Sequence, residues 1–194
     1  MQFLRESFHL KVQDLSRLEK PALLLLSRET TRKFLNEDQM VTMMEALGFR
    51  VIIAKPDIMS NTRKFAKIVN SCSVMVGAHG AGLTNFVFLP PGAVVVQVIG
   101  LGLDWASKYY YGVPSEGVGL NYFGYKIEAE ESSLISVYGR DDPVIVDPES
   151  IQVKGYEFER AIYLIEQNFN VDVVRFSKTL VQVLGLVGRS ATLG

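Results

Sequence analysis

Short apolar runs separated by stretches of helical period organise this chain. Residues 22–26 (ALLLL), 49–54 (FRVIIA), 73–76 (SVMV) and 93–99 (AVVVQVI) have strand length and are rich in Leu, Val and Ile. Near-continuous apolar strands of this kind belong in a parallel sheet covered on both faces. Between them, residues 35–47 carry a helical pattern, with Asn36 near the cap, acidic residues in the first turn and Gly48 as a stop. Ser60 or Asn61 is placed to cap another helix, whose Phe65, Ile68 and Val69 share one side and Arg63, Lys64 and Lys67 the other. The alternation of strand and helix predicts an α/β fold, a Rossmann-like parallel sheet with helices on both faces.

Beyond Gly100 the periodicity weakens. Residues 104–111 predict a short tyrosine-rich helix, 113–119 a loop, 122–127 a further strand and 141–150 an exposed connection. Residues 156–184 predict two helices broken near 168–171.

The stretch from Val74 to Gly92, VMVGAHGAGLTNFVFLPPG, joins a buried strand to a helix expected from Leu83 onward. Gly77, Gly80 and Gly82 supply backbone that turns tightly and approaches a ligand with no Cβ in the way. Amides at a helix start, here around Ala81 and Gly82, lack intrahelical partners and sit at the positive end of the helix dipole, so an anion such as a diphosphate is the expected occupant. His79 lies inside the turn, where its imidazole is placed to donate to a phosphate or a sugar hydroxyl, support of the turn being the alternative. Thr84 and Asn85 fall at the same helix start, where capping and ligand contact are equally open readings. The turn lacks GxGxxG spacing and no acidic residue ends the next strand, which speaks against a dinucleotide enzyme.

Ligands of open α/β sheets sit at the carboxyl ends of the strands. Ser27 and Arg28 follow the first strand directly, and Arg32 lies about one helical turn further on. A guanidinium forks onto phosphate oxygens and stabilises a diphosphate both bound and departing, which makes Arg28 the first candidate and Arg32 the second, with pairing to Glu29 as its alternative. Glu130 and Glu131 follow the last predicted strand and suit either ribose hydroxyls or the acidic first turn of a helix. Tyr109, Tyr110, Tyr111, Tyr122 and Tyr125 suit either stacking or the core, and Asp104 and Trp105 are placed to face a sugar.

With 194 residues, 48% of them hydrophobic, the chain has length for one domain with a sound core. Its 20 basic and 21 acidic residues give no basis for nonspecific nucleic-acid binding. A single cysteine, Cys72, excludes a disulfide framework and CxxC metal sites. There is no DxD triplet, and Asp141 and Asp142 beside Pro143 read as a surface turn, so no metal is expected. No run reaches the length of a membrane span, and the first dozen residues lack the apolar centre of a signal peptide.

GAHGAGLTN followed by FLPPGAVVVQV resembles the signature segment of the plant-type family 61 glycosyltransferases, enzymes of xylan and N-glycan decoration. The blocks SRETTRKFLNE, GLNYFGYKIEAEESSL and YLIEQNFNVDVVRFSKTL resemble that family in the same order. The resemblance implies the C-terminal, donor-binding lobe of a GT-B glycosyltransferase over residues 22–185, after an extension at 1–21 and before a tail at 186–194. It implies inverting transfer of a sugar, xylosyl or arabinosyl, from a UDP-sugar to a glycan or glycoprotein, with the acceptor coming from an N-terminal lobe missing here. Full-length relatives are expected to be Golgi type II membrane proteins, whereas this chain lacks the anchor. In this frame Ser27, Arg28, Arg32, Gly77, His79, Gly80, Ala81, Gly82, Thr84, Asn85, Glu130 and Glu131 bind the donor. His79 is the one catalytic candidate, set against a base from the other lobe. The alternative is a truncated, noncatalytic isoform that binds nucleotide or a partner protein.

Overall fold

Ala22–Leu26 (β1) is an interior strand of the sheet, all five side chains buried, in a computed structural model that describes residues 2–15, 18 and 20–192. It pairs in parallel with Arg50–Ala54 (β2) on one side and Val74–Ala78 (β3) on the other, Leu25 standing opposite both Ile53 and Val76. Val94–Ile99 (β4) and Asn121–Lys126 (β5) extend the sheet, again in parallel, to the order β2-β1-β3-β4-β5. The apolar runs dictate this result: β1, β3 and all but the last residue of β4 are buried along their whole length.

The chain moves from β1 out to β2, then returns across β1 to β3. With right-handed crossovers, that reversal puts the connecting helices on opposite faces. Glu37–Ala46 packs with Val173–Thr192 in one layer, and Thr62–Asn70 packs with Ala81–Phe88 and Gln2–Phe8 in the other. It also opens a crevice where β1 and β3 end, the switch point at which such sheets hold ligands. Asn61 caps its helix by accepting from the Lys64 amide at 3.0 Å.

Residues 2–15 pack onto the second layer. Arg5 donates to the carbonyls of Val12 and Leu89, Phe8 lies against Phe88 at 4.9 Å, and buried Asn70 exchanges hydrogen bonds with the Val12 backbone. At the other end the last helix runs to Thr192, past the expected limit at residue 184.

Three expectations need correction. The helix after the glycine turn is a tighter 3-10 helix, Ala81–Phe88, whose Leu83 amide bonds back to Gly80. Residues 113–119 are not a loop: Asp104–Ser107, a widened π turn at Lys108–Gly112 and Val113–Gly117 follow one another as a single helical run. Pro114 is tolerated because it stands at the first turn of its segment. Residues 141–150 are not an exposed connection either. Asp142 and Asp147 cap two short helices, Pro143–Val146 and Pro148–Gln152, that insert Val144, Ile145 and Ile151 into the core.

Candidate functional site

The blocks SRETTRKFLNE and EQNFN, more than a hundred residues apart, lie zipped together. Arg32 N–H donates to the Gln167 carbonyl, Lys33 N–H to Asn168 Oδ1, Phe169 N–H to the Lys33 carbonyl and Leu35 N–H to the Phe169 carbonyl, all within 3.1 Å. Asn36, expected as a cap, makes no cap bond; its amide instead pairs with both backbone groups of Val171 at 2.8 and 3.0 Å. Gln167 in turn binds both backbone groups of Leu101 after β4. This clasp holds Arg32 at φ +54, a left-handed conformation uncommon for a residue with a side chain and of the kind that clusters at functional sites.

Arg28 and Arg32 both turn toward Gly80. A Cβ built there would stand 2.5 Å from one Arg28 terminal nitrogen and 3.5 Å from one of Arg32, and Gly80 itself has φ +149 and ψ 170, a region open essentially to glycine alone. Arg28 Nε donates to the Thr31 carbonyl at 2.7 Å, and the Thr31 hydroxyl lies near both guanidiniums. Among the described residues neither arginine forms an ion pair, and Arg32 Nε is buried with no hydrogen-bond partner. Burial and the neighbouring Arg28 pull Arg32 down from its ordinary value to about 10, and burial lowers Arg28 too. Positive charge is thus gathered here without compensation.

His79 and Tyr111 complete the cluster. The two rings meet edge to face at 5.1 Å. Burial, then Arg32 and Arg28, lower His79 from 6.5 to about 4, so its imidazole is neutral at physiological pH. Its Nδ1 faces inward to Gln97 Nε2 at 3.2 Å and Ser107 Oγ at 3.4 Å.

The other sequence candidates fall in different places. Ser27 is buried directly behind Arg28, its amide donating to Ala54. Gly77 is needed for packing, since a Cβ would press on Leu26 and Leu83 at 3.0 to 3.2 Å, whereas Gly82 has room for one. Thr84 and Asn85 bond back to the Ala81 and Gly82 carbonyls within their own helix. Glu130 pairs with Arg140 on the surface. Glu131 is buried and accepts from Tyr125, from the amides of Asp172 and Glu128, and from Arg175, which fills both oxygens and leaves none for a ribose. Tyr111 is among the tyrosines that suit stacking or the core, whereas Gln97 and Ser107 carry no reading from sequence; a lone Gln in VVVQVI is the available signal, because a polar side chain in a doubly covered strand needs a buried partner.

Outside the cluster, Trp105 is 61% exposed and its ring lies 5.1 Å from Tyr109 and 5.7 Å from Tyr110, which in turn is 6.4 Å from His79. Beyond these rings Trp105, Asp104, Lys126, Asp147 and Gln152 line an open cavity of about 420 Å³. Among the described residues there is no group of three or more His, Cys, Asp or Glu able to hold a metal ion, and no helix is long and apolar enough to cross a membrane.

Two arginines without a carboxylate converge on a glycine turn at the switch point of a parallel sheet, with an aromatic surface beside them, the place where open α/β sheets hold ligands. The family model for glycosyltransferase 61 matches residues 1–96. A xylan glycosyltransferase of Arabidopsis thaliana is 43% identical over 176 residues, which is 91% of this chain and 36% of that protein. In Oryza sativa subsp. japonica, an alpha-1,3-arabinosyltransferase is 43% identical over 166 residues (85% and 29%) and a beta-1,2-xylosyltransferase 39% over 179 (92% and 38%). The chain belongs to glycosyltransferase family 61 and spans roughly a third of the length of these relatives.

Proposed function

We propose that this chain is the donor-binding part of a xylan-type glycosyltransferase, gripping the diphosphate of a UDP-sugar between Arg28, Arg32 and the Gly80 turn. The observation that carries the reading is the pair of half-buried arginines that converge on Gly80 with no carboxylate between them. Two desolvated like charges oppose folding, and a bound dianion relieves that opposition. The relatives are named for xylosyl and arabinosyl transfer, which favours a pentosyl donor.

In this reading the sheet corresponds to the donor lobe of a GT-B enzyme, and the rest of the full-length protein, a Golgi membrane protein, brings the glycan acceptor and the base. An acceptor hydroxyl attacks the anomeric carbon from the side opposite the nucleotide. The bond from that carbon to the β-phosphate oxygen breaks, configuration inverts, and the electron pair leaves on UDP. Charge grows on the diphosphate as it departs, where preorganised guanidiniums act most strongly. That places the neutralising charge on side chains, with no metal called for. Trp105, Tyr109 and Tyr110 offer the sugar a stacking surface toward the adjoining cavity.

Calorimetric titration with UDP and with UDP-xylose tests the reading. Binding that is lost in Arg28→Ala and Arg32→Ala is expected; a folded sample that gives no heat at millimolar UDP would sink it.

A further inference from the structure

Behind the arginines runs a buried polar chain that the diphosphate reading does not require. Gln97 stands in the middle of β4, fully buried, the only polar residue of VVVQVI. The Tyr122 hydroxyl, on β5, donates to Gln97 Oε1 at 2.8 Å. Gln97 Nε2 donates to Ser107 Oγ at 2.8 Å and lies 3.2 Å from His79 Nδ1; Ser107 Oγ is 3.4 Å from the same nitrogen. The reverse amide orientation would leave the Tyr122 hydroxyl hydrogen without an acceptor among the described residues. With Gln97 held this way, its second Nε2–H faces Nδ1 and makes that nitrogen the acceptor, and the Ser107 hydroxyl, which itself accepts from Gln97, is free to donate to it. The single proton of the neutral ring is then on Nε2.

We infer that Gln97, oriented by Tyr122 and aided by Ser107, is a positioning residue that fixes His79 as a neutral Nε2–H donor toward the ligand of the arginine site, in the role of hydrogen-bond donor to the departing diphosphate and not of general base. Nε2 already carries its proton, so it cannot take one from an acceptor hydroxyl. It has no hydrogen-bond partner among the described residues, while Tyr111 and Tyr110 of the π turn lie beside the ring, Gln97 of β4 faces Nδ1, and the Arg28 and Arg32 charges are near enough to disfavour the imidazolium. The two arginines explain why a neutral donor is used here: a third cation beside them would repel both, whereas a neutral N–H adds a hydrogen bond to phosphate without that repulsion.

The inference rests on the diphosphate reading for its ligand, but its first test does not. The sequence has two histidines, His9 and His79, so a ¹⁵N-histidine-labelled chain with a His9→Asn control gives an assigned long-range ¹H–¹⁵N spectrum. In the free protein at pH 7, His79 should be neutral with its proton on Nε2. An Nδ1–H tautomer, or half-protonation near pH 6.5, overturns the proposal. Gln97→Glu puts a carboxylate against Nδ1 and should move the proton there, with UDP affinity falling about tenfold, as for the loss of one good hydrogen bond. An unchanged tautomer in that variant overturns it as well. Should Gln97→Glu not fold, Tyr122→Phe serves in its place: freed of its orienting hydroxyl, the amide should yield a mixture of tautomers, and a pure Nε2–H state would count against Tyr122 and Gln97. On adding UDP to the wild type, the His79 Nε2 signals should move. Arg28-dependent UDP binding that leaves them unmoved overturns the donor role, while an Nε2–H tautomer in a chain that gives no heat with UDP overturns the diphosphate reading alone.

Discussion

Arg32 and Arg175 stand at two carboxyl ends of the same sheet, each with a buried Nε that has no hydrogen-bond partner, and differ in the counter-charge they meet. Arg175, on the last helix, donates through both terminal nitrogens to the Lys126 carbonyl, pairs with buried Glu131 and stacks on Tyr125 at 4.3 Å. Burial pulls it down, but the Glu131 hydrogen bond and the Tyr125, Glu131 and Glu128 charges outweigh that and hold it above its ordinary value. Arg32, with Arg28, has no carboxylate and is lowered. One arginine closes the fold; the other two leave it open at one place. What separates a structural cation from a ligand-binding one is whether the chain itself supplies the counter-charge.

The comparison breaks most sharply on stability. Arg175→Met leaves the Glu131 carboxylate buried and unpaired, which should cost about 3 kcal/mol, the low end for such breakage because Arg175 is itself a third exposed. Arg28→Met and Arg32→Met remove repulsion and should be neutral or mildly stabilising. Urea unfolding of the three variants measures this; equal losses would erase the distinction.

Binding should show the reverse order. Arg28→Ala should weaken UDP by about 1.5 to 3 kcal/mol, the range for a hydrogen bond to a charged group. The mild variant Glu130→Gln, at the surface pair with Arg140, should bind UDP as the wild type does. Titration calorimetry of both places the nucleotide at the β1 and β3 ends or removes it from there.

Gly80→Ala sharpens the geometry of the open end. The new Cβ would demand a backbone conformation nearly closed to alanine and would push the Arg28 guanidinium aside, a cost of about 1 to 2 kcal/mol in stability with UDP affinity falling in step. Gly82→Ala, with ordinary contact distances, should do neither. If both variants behave alike, the turn is not shaped around Arg28.

How much of this was readable beforehand follows from what each feature depends on. The four apolar strands were legible because burial on both faces forces an unbroken hydrophobic run, and the arginines and glycines were legible because they sit next to those strands. Local signals failed where tertiary packing overrode them. Residues 113–119, with Pro114 and Gly117, read as a loop, yet the run from Asp104 continues to Gly117 by widening into a π turn. Asp, Pro and Ser between residues 141 and 150 read as exposed, yet two of the three aspartates, Asp142 and Asp147, cap short helices that carry Val144, Ile145 and Ile151 inward. Glu131 is open to two readings in sequence, a ribose ligand or the acidic first turn of a helix; it does stand in the first turn of Ala129–Glu131, and what fills its oxygens, Arg175, Tyr125 and the Asp172 amide, reaches it only in the fold.

The smallest effect lies in pH. His79 has a folded value near 4 against an ordinary 6.5, so between those limits the unfolded chain binds more protons than the folded one. Stability from this residue is therefore complete above about pH 6.5 and is lost as pH falls toward 4, by about 0.7 kcal/mol between pH 7 and pH 6 on linkage arithmetic. Melting temperature followed across that interval should fall in the wild type and stay flatter in His79→Asn. Saturating UDP adds a second contrast. Its negative charge offsets the arginines that depress His79, so the bound chain should lose less stability on acidification than the free one. Away from the open end, where no histidine takes part, Glu130→Gln at the exposed pair with Arg140 should keep the wild-type slope between pH 7 and pH 6; a slope that vanished there would mean the titrating group belongs to that surface and not to the arginine site.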